Sequence, residues 1–223
     1  MKKVIVILFI IISQFANAQV TKNLGDFTTV KVFDQINVTL VKSDVNKIVI
    51  KGNRADEVTL VTKNDVLKIK MNFTKLLAGE DIEATLYYNG TIQAIEANEG
   101  SFVGSADTFK AIAFDVNAKE GATIKVILDV QSLESKTTSG GILELYGKCD
   151  YHDAKVNSGG ILNGEELITK QTKISVSAGG EVEIYATDFV DAKVRAGGTI
   201  DVYGNPSQVN KKTFAGGDIS IIQ

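Results

Sequence analysis

The sequence predicts an all-β fold whose C-terminal half is a short-coil, right-handed β-solenoid with Gly-Gly corners. Three observations support this prediction. A motif of one small residue and two glycines recurs about every 19 residues, and the residues after each motif alternate between apolar and polar. The chain also contains 20 glycines and a single proline, with no helical periodicity beyond its first 18 residues.

The repeat is clearest from residue 139 onward, where the second glycines of successive copies lie 19, 20, 18 and 19 residues apart. The five copies are Ser139-Gly140-Gly141, Ser158-Gly159-Gly160, Ala178-Gly179-Gly180, Ala196-Gly197-Gly198 and Ala215-Gly216-Gly217. Two weaker copies precede them, at Glu99-Gly100-Ser101 and Glu120-Gly121-Ala122. A period near 20 held over seven copies is typical of a solenoid rather than of a fold with one compact core.

Each copy is predicted to contain two short strands joined by the glycine corner. After the corner, apolar residues such as Val182 and Ile184 alternate with polar ones, so one face of the strand points inward. We expect the coils to stack in parallel at about 4.8 Å per layer. Glycine suits the corner because it adopts positive φ freely and lets coils approach closely. Gly160, Gly180 and Gly198 should therefore be closed to a Cβ by backbone strain and blocked stacking together.

The region before the repeats is β-rich but lacks the Gly-Gly period. Its predicted strands are Phe27–Phe33, Gln35–Lys42, Asn46–Lys51, Glu57–Lys63, Val66–Met71 and Ile82–Tyr88, separated by turn-like segments. We predict that residues 19–90 form antiparallel strands that cover the first coil, because exposed sheet ends invite association. The solenoid repeats then fill residues 91–223, and the two regions make one continuous domain.

The first 18 residues resemble a signal peptide. Lys2 and Lys3 precede the apolar run Val4–Ile12, and Ala16-Asn17-Ala18 matches a small-residue cleavage site. The apolar run is too short to cross a bilayer as a helix, and the residue directly after Ala18 is Gln19 rather than a cysteine that could accept a lipid. The sequence therefore predicts cleavage after Ala18 and a periplasmic, cell-surface or secreted product that is not a lipoprotein and has no membrane span.

Composition narrows the classes of function. The chain is mildly acidic, with a formal net charge of −3 and mixed signs, so it lacks the basic surface expected of a nucleic-acid-binding protein. The single cysteine, Cys149, rules out an intramolecular disulfide and a multi-cysteine metal site. We expect Cys149 to be a buried small hydrophobic residue. No motif predicts a cofactor or a metal site.

One group of acidic residues and a histidine raises the question of catalysis. Asp150, His152 and Asp153 lie in one coil, Asp188 and Asp191 hold the same repeat positions two coils later, and Lys170 and Lys173 lie between them. Stacked layers with alternating charge would form a ladder of ion pairs on a solvated face. Alternatively, the acids and the histidine would converge in a groove and cleave a polysaccharide. Spacing alone leaves both possibilities open.

The strand after each corner carries a second set of candidate side chains at its outward positions. They are Glu144 and Tyr146, Asn163 and Glu165, Glu183 and Tyr185, and Asp201 and Tyr203. Tyrosines beside carboxylates suit a sugar ring, which offers an apolar face and a rim of hydroxyls. The alternatives are that the tyrosines only protect the strand ends, or that Asp201 or Glu183 binds calcium.

The segment at residues 33–40 (FDQINVTL), followed by residues 49–53 (VIKGN) and 67–69 (LKI), resembles the start of the bacterial head GIN domain family of auto-transporter adhesins. Its members continue with Gly-rich repeats of small residues, as this chain does. The corners here are Gly-Gly, with Gly-Asp only at residues 217–218, where the family typically has Ser-Gly-Ser-Gly or Gly-Asp. The resemblance implies a β-helix-like fold, export and an adhesive or polysaccharide-related role, and it supplies no catalytic residues.

Together these features favour an exported, non-catalytic binding or adhesion module with a polysaccharide or another cell-envelope component as its candidate partner. The alternative is a β-helix lyase or hydrolase that uses the Asp and His residues named above.

Overall fold

The computed structural model describes residues 19–72, 77–79 and 81–222, so the predicted signal peptide lies outside the described residues. The described chain forms sixteen strands in one continuous sheet and a short 3-10 helix at Ala55–Glu57. The predicted all-β solenoid is confirmed.

The strands follow the sequence pattern closely. They are β1 Gln19–Asn23, β2 Thr29–Val32, β3 Asn37–Lys42, β4 Lys47–Lys51, β5 Val58–Lys63, β6 Val66–Met71, β7 Glu83–Tyr88, β8 Ala94–Ala97, β9 Phe102–Lys119, β10 Thr123–Thr138, β11 Ile142–Asn157, β12 Ile161–Ser177, β13 Gly180–Arg195, β14 Gly198–Tyr203, β15 Gln208–Phe214 and β16 Asp218–Ile221. Strands β9 to β13 each run for 16–18 residues. The two short strands predicted for each coil are therefore joined into one, because parallel pairing to the neighbouring coils continues through the bend between them.

The coil has two sides, which we call the first side, after each glycine corner, and the second side, before the next corner. In β11 the buried positions run Leu143, Leu145 and Cys149 on the first side, and resume at His152 and then every second residue. Two consecutive outward residues at 150–151 mark the bend. Stacked inward residues fill the interior, as in the buried column Val103, Ile124, Leu143, Leu162, Val182, Ile200 and Ile219.

The corners are turns with positive φ at both central residues. Ser139 and Gly140 have φ of 53° and 73°, and Gly141 N donates a hydrogen bond to Thr138 O at 3.1 Å, which is the pattern of a type I′ turn. Corners also bond to one another, since Gly140 N donates to Ser158 O at 3.2 Å. The corner is thus a hydrogen-bonded layer of its own.

The two glycines of a corner are required for different reasons. The second glycines Gly160 and Gly180 do not have positive φ, so the predicted backbone strain is wrong for them. The predicted steric block is present: a Cβ on Gly180 would lie 2.6 Å from Val156 Cγ1. Gly198 combines a φ of 120° with a Cβ position 2.7 Å from Gly180 O, as predicted.

Stacking begins earlier than the glycine repeats indicate. Asp34 and Gln35 have φ of 60° and 64°, and Gln35 N donates to Glu99 O at 3.0 Å, so they form a first corner without glycine. Strands β2 and β3, on either side of this corner, pair in parallel with β8 and β9. The predicted antiparallel strands are present around them: β1 with β4, β4 with β7, and β5 with β6.

Candidate functional site

The polar column that the sequence places on the first side is continuous in the structure. Glu144 pairs with Asn163, Asn163 with Glu183, and Glu183 with Asp201, each in the adjacent coil. All four residues are outward positions of strands whose neighbours along the chain are buried. The column exists because the inward aliphatic residues fix the register, and a slip by one residue would turn those residues outward.

The tyrosines are less regular than the spacing predicts. Tyr185 and Tyr203 are direct partners on β13 and β14. Tyr146 is separated from them by β12, where the register shifts between the pairs Glu144/Asn163 and Gly147/Leu167. Three residues of β12 there oppose two of β11, which makes a β-bulge. The three outward tyrosines are therefore one adjacent pair, Tyr185 and Tyr203, and one ring, Tyr146, that lies two coils from Tyr185.

Three carboxylates act on the hydroxyl of Tyr203. Partial burial and the charges of Glu183, Glu165 and Asp201 raise the pKa of the Tyr203 hydroxyl. Burial, then the charges of Glu165 and Asp201, also raise the pKa of Glu183. The three acids thus lie near one another. Within the described ranges, however, no three His, Cys, Asp or Glu side chains are close enough together to hold a metal ion, so calcium at this position gains no support.

Tyr146 is held by a lysine that the sequence analysis did not select. Glu144 Oε2 accepts hydrogen bonds from Lys125 Nζ at 2.7 Å and from the Tyr146 hydroxyl at 3.3 Å. The Lys125 ammonium also lies 5.3 Å from the centre of the Tyr146 ring. Lys125 precedes Glu144 in the same column, so extending the repeat one coil upstream would have identified it.

The Tyr185 ring packs over the next coil. A Cβ added to Gly204 would lie 2.6 Å from Tyr185 Cε1 and 2.5 Å from Ala186 O. Gly204, with a φ of 88°, therefore leaves the space that the ring occupies. One face of the Tyr185 ring thus covers backbone at the end of a strand. For this tyrosine, the alternative that the rings protect the strand ends gains support.

The structure does not bring the Asp and His residues into one cluster. His152 is buried in the interior, 3% exposed, and its Nε2 lies 2.7 Å from Ser135 Oγ. Burial lowers the His152 pKa to about 4, against a smaller opposing effect of the Asp153 charge. A neutral buried imidazole without access to solvent is poorly placed to transfer protons to a substrate.

The aspartates instead pair with neighbours on the surface. Asp150 Oδ1 lies 2.7 Å from Lys170 Nζ, and Asp153 Oδ2 lies 3.4 Å from Lys173 Nζ. Thus the predicted ladder of opposite charges is present between β11 and β12.

The next coil shows a different pattern of pairing. Asp191 bonds Lys193 on its own strand at 2.7 Å, and Asp188 accepts a hydrogen bond from Thr187 at 2.7 Å. Asp191 nevertheless holds the column position opposite Lys173, as the spacing predicted.

Cys149 lies in the interior, as predicted for a small hydrophobic residue. Its side chain is 3% exposed, and burial raises the pKa of its thiol to about 11. The thiol donates a hydrogen bond to Tyr151 O at 3.1 Å. A protonated, buried thiol of this kind is unreactive.

A family model described as "putative auto-transporter adhesin, head GIN domain" matches residues 26–206. The chain belongs to this family. No curated protein matches the sequence. Within the described residues of this head GIN domain, no helix is long and apolar enough to cross a bilayer.

Solved structures share the head GIN fold at low sequence identity. A protein from Bacteroides fragilis described as a putative adhesin is 18% identical, with a TM-score of 0.86, covering 94% of this chain and 98% of that chain. A putative adhesin from Parabacteroides merdae is 13% identical, with a TM-score of 0.74 and the same coverage. A protein from Parabacteroides distasonis described as a putative lipid binding protein is 14% identical, with a TM-score of 0.71, again covering 94% and 98%.

Proposed function

We propose that this protein is an exported adhesion module that binds an extended polysaccharide along the first side of its solenoid. The observation that carries the proposal is the column formed by Glu144, Asn163, Glu183 and Asp201, with Tyr185 and Tyr203 in register beside it. Membership of an adhesin family supports a binding role at the cell surface.

The chemistry of the column suits a polymer rich in hydroxyl groups. Carboxylates accept hydrogen bonds from hydroxyls, and the amide of Asn163 both donates and accepts. The Tyr185 and Tyr203 rings add apolar surface on which a sugar face can pack. Successive layers repeat at about 4.8 Å. A polymer lying along the solenoid would thus meet similar groups at each layer, and affinity would accumulate over several weak contacts.

A glycan-array screen of the purified protein, followed by binding isotherms, tests this function. Tyr146→Ala, Tyr185→Ala and Tyr203→Ala should each weaken binding of a selected glycan by about twofold to fivefold, which corresponds to less than about 1 kcal/mol each. The triple variant should lose binding. Tyr151→Ala is the matched control, because Tyr151 is 56% exposed but lies at the bend, outside the column.

Two results would contradict the proposal. Unchanged binding by the triple variant would show that the tyrosines are not part of the binding surface. If the protein cleaves an acidic polysaccharide and an Asp153→Asn variant does not, the aspartates of the second side act on the substrate instead. Thermal melts of each variant check that lost binding does not reflect lost folding, which matters most for Tyr185 because its ring covers Gly204.

A further inference from the structure

The second side of the solenoid carries two parallel columns of opposite charge. The acidic column consists of Asp115, Glu134 and Asp153, which are direct partners on β9, β10 and β11. The lysine column lies two residues further along each strand and consists of Lys136, Lys155, Lys193 and Lys212, with Ser175 between the second and third lysines. Side chains two residues apart on a strand point to the same face, so the columns lie next to each other on the surface.

Like charges are stacked within each column, which is unfavourable without a compensating partner. Among the described residues, Asp115, Glu134, Lys136 and Lys155 have no ion-pair partner within 4 Å, because none of the ion pairs includes them. Burial and the charge of Glu134 raise the pKa of Asp115, consistent with the closeness of the two acids. A shallow groove runs along these residues.

We propose that this double column is a self-association surface on which a second copy of the chain docks about a two-fold axis parallel to the solenoid axis. Such an axis, placed between the columns, carries the acidic column of one copy onto the lysine column of the other. Glu134 then faces Lys136 of the second copy, and Asp153 faces its Lys155. A two-fold axis perpendicular to the columns would instead place acid on acid, so the charge pattern selects one orientation.

The one break in the acidic column is consistent with the same arrangement. The β12 layer carries Lys173 at the acidic-column position, where a lysine would repel a lysine of the second copy. In that layer the lysine-column position is Ser175, which is neutral. The β9 layer likewise combines Asp115 with the neutral Asn117. No layer from β9 to β13 therefore places like charges opposite each other.

A second copy matches this surface better than another charged partner would. Its layers have the same spacing as those of the first copy, so every layer stays in register along the length of the contact. The side chains of both columns are charged or polar, and the association is accordingly expected to be weak and sensitive to salt. The first side stays free in both copies, and a pair would present two binding faces to one polymer.

Sedimentation of the purified protein at low salt and at about 1 M NaCl, where the Debye length falls to about 3 Å, tests the proposal. The protein should form a dimer at low salt and a monomer at high salt. Two variants reverse one column each: Lys136→Glu with Lys155→Glu, and Glu134→Lys with Asp153→Lys. Each variant alone should lose self-association by about tenfold or more, since the facing side chains of the β10 and β11 layers then have one sign. An equimolar mixture of the two variants should form a dimer again.

The matched control is Lys110→Glu with Lys148→Glu, which lowers the net charge by the same amount as the variant of Lys136 and Lys155. Both lysines lie beside Asp129 on the other side of the bend and are well exposed. This variant should dimerise like the unaltered protein. A protein that is monomeric at low salt over all accessible concentrations would overturn the proposal, as would reversed variants that dimerise normally. Failure of the mixture to associate, with both variants folded by circular dichroism, would overturn the two-fold arrangement.

Discussion

A few polar side chains are buried in the solenoid, and most of them are satisfied by specific hydrogen bonds. Thr169 and Thr172 bond to each other at 2.7 Å, and Thr169 also donates to Tyr185 O at 2.7 Å. Asp34 is buried at the first corner, where its carboxylate accepts hydrogen bonds from Met71 N and Leu77 N at 3.0 and 3.1 Å. His152 differs from them, because its Nδ1 is buried without a hydrogen-bond partner among the described residues.

Burial of His152 predicts a loss of stability in acid. Its pKa falls from 6.5 to about 4 in the fold, so below pH 6.5 the unfolded chain takes up a proton that the folded chain excludes. Stability should therefore decrease as pH falls from 6.5 to about 4, by up to about 3 kcal/mol from this group. Above pH 6.5 both states are neutral and the group has no effect.

Melting temperatures of the protein and of His152→Leu from pH 7.5 to 4.5 measure this contribution. Leu133 occupies the same column one coil earlier, so leucine is compatible with the site. The variant should lose less stability than the protein as pH falls, since carboxylates that titrate in both proteins cancel in the comparison. Parallel losses in the two proteins would show that His152 does not remain neutral in the fold.

At the scale of single elements, the corner determines how closely the coils can stack. Its first two residues adopt positive φ, and its third residue lies against the backbone of the preceding coil. A Cβ on Gly140 would meet no atom within 4 Å, whereas one on Gly141 would lie 2.3 Å from Ala118 O. Ala122 holds the equivalent position one coil earlier, where its Cβ fits although the residue is fully buried. The position therefore does not exclude a Cβ in every coil. At Gly141 the close approach of the Ala118 backbone excludes it.

Because the two glycines of this corner have different surroundings, replacing each with alanine should lower the free energy of unfolding by different amounts. Gly140→Ala should destabilise by about 1 kcal/mol, the cost of a Cβ at positive φ. Gly141→Ala should cost more, about 2–4 kcal/mol, because a backbone carbonyl must move. In a chain of this size, each kcal/mol lowers the melting temperature by about 2–4 °C. Melting temperatures in the reverse order would contradict the assignment of the two roles.

At the scale of the whole molecule, the two ends of the solenoid are built differently. At the N-terminal end, β7 is followed outward by antiparallel β4 and β1, and β6 by antiparallel β5. At the other end, β15 and β16 each pair with one strand only. Lys211 holds an inward position there and donates to Ile219 O at 3.0 Å, and an inward charge of this kind discourages further strand addition.

Amide hydrogen exchange should reveal this asymmetry. Each coil contacts mainly its neighbours, so stability is approximately a sum of nearest-neighbour terms and the ends open first. We expect the highest protection in β10, β11 and β12, and the lowest in β15 and β16, where nearly every residue of β15 is exposed. Exchange measured by mass spectrometry after short and long labelling times checks this order. Equal protection in β11 and β15 would show that the solenoid opens only as one unit.

The sequence by itself determined the solenoid, its glycine corners and the outward column on the first side. The period of about 19 residues and the apolar alternation can both be read along the sequence. When coils of equal length stack, residues one period apart come into contact, so the period also predicts contacts between coils. The pairing of Asp153 with Lys173 followed from the same reasoning, and the burial of Cys149 followed from the usual behaviour of a lone cysteine.

Only the tertiary structure decided the features that break this period. The bend at residues 150–151 changes which residues point inward, so His152 lies in the interior although it stands beside outward aspartates in the sequence. The bulge in β12 shifts the pairing between Glu144/Asn163 and Gly147/Leu167, which the spacing of the glycines does not show. The first corner at Asp34 and Gln35 carries no glycine, and hydrogen bonds of its backbone and of the Asp34 carboxylate hold its conformation. The charge columns of the second side likewise required the register of every coil, because a shift of one or two residues in coil length moves a side chain to another column.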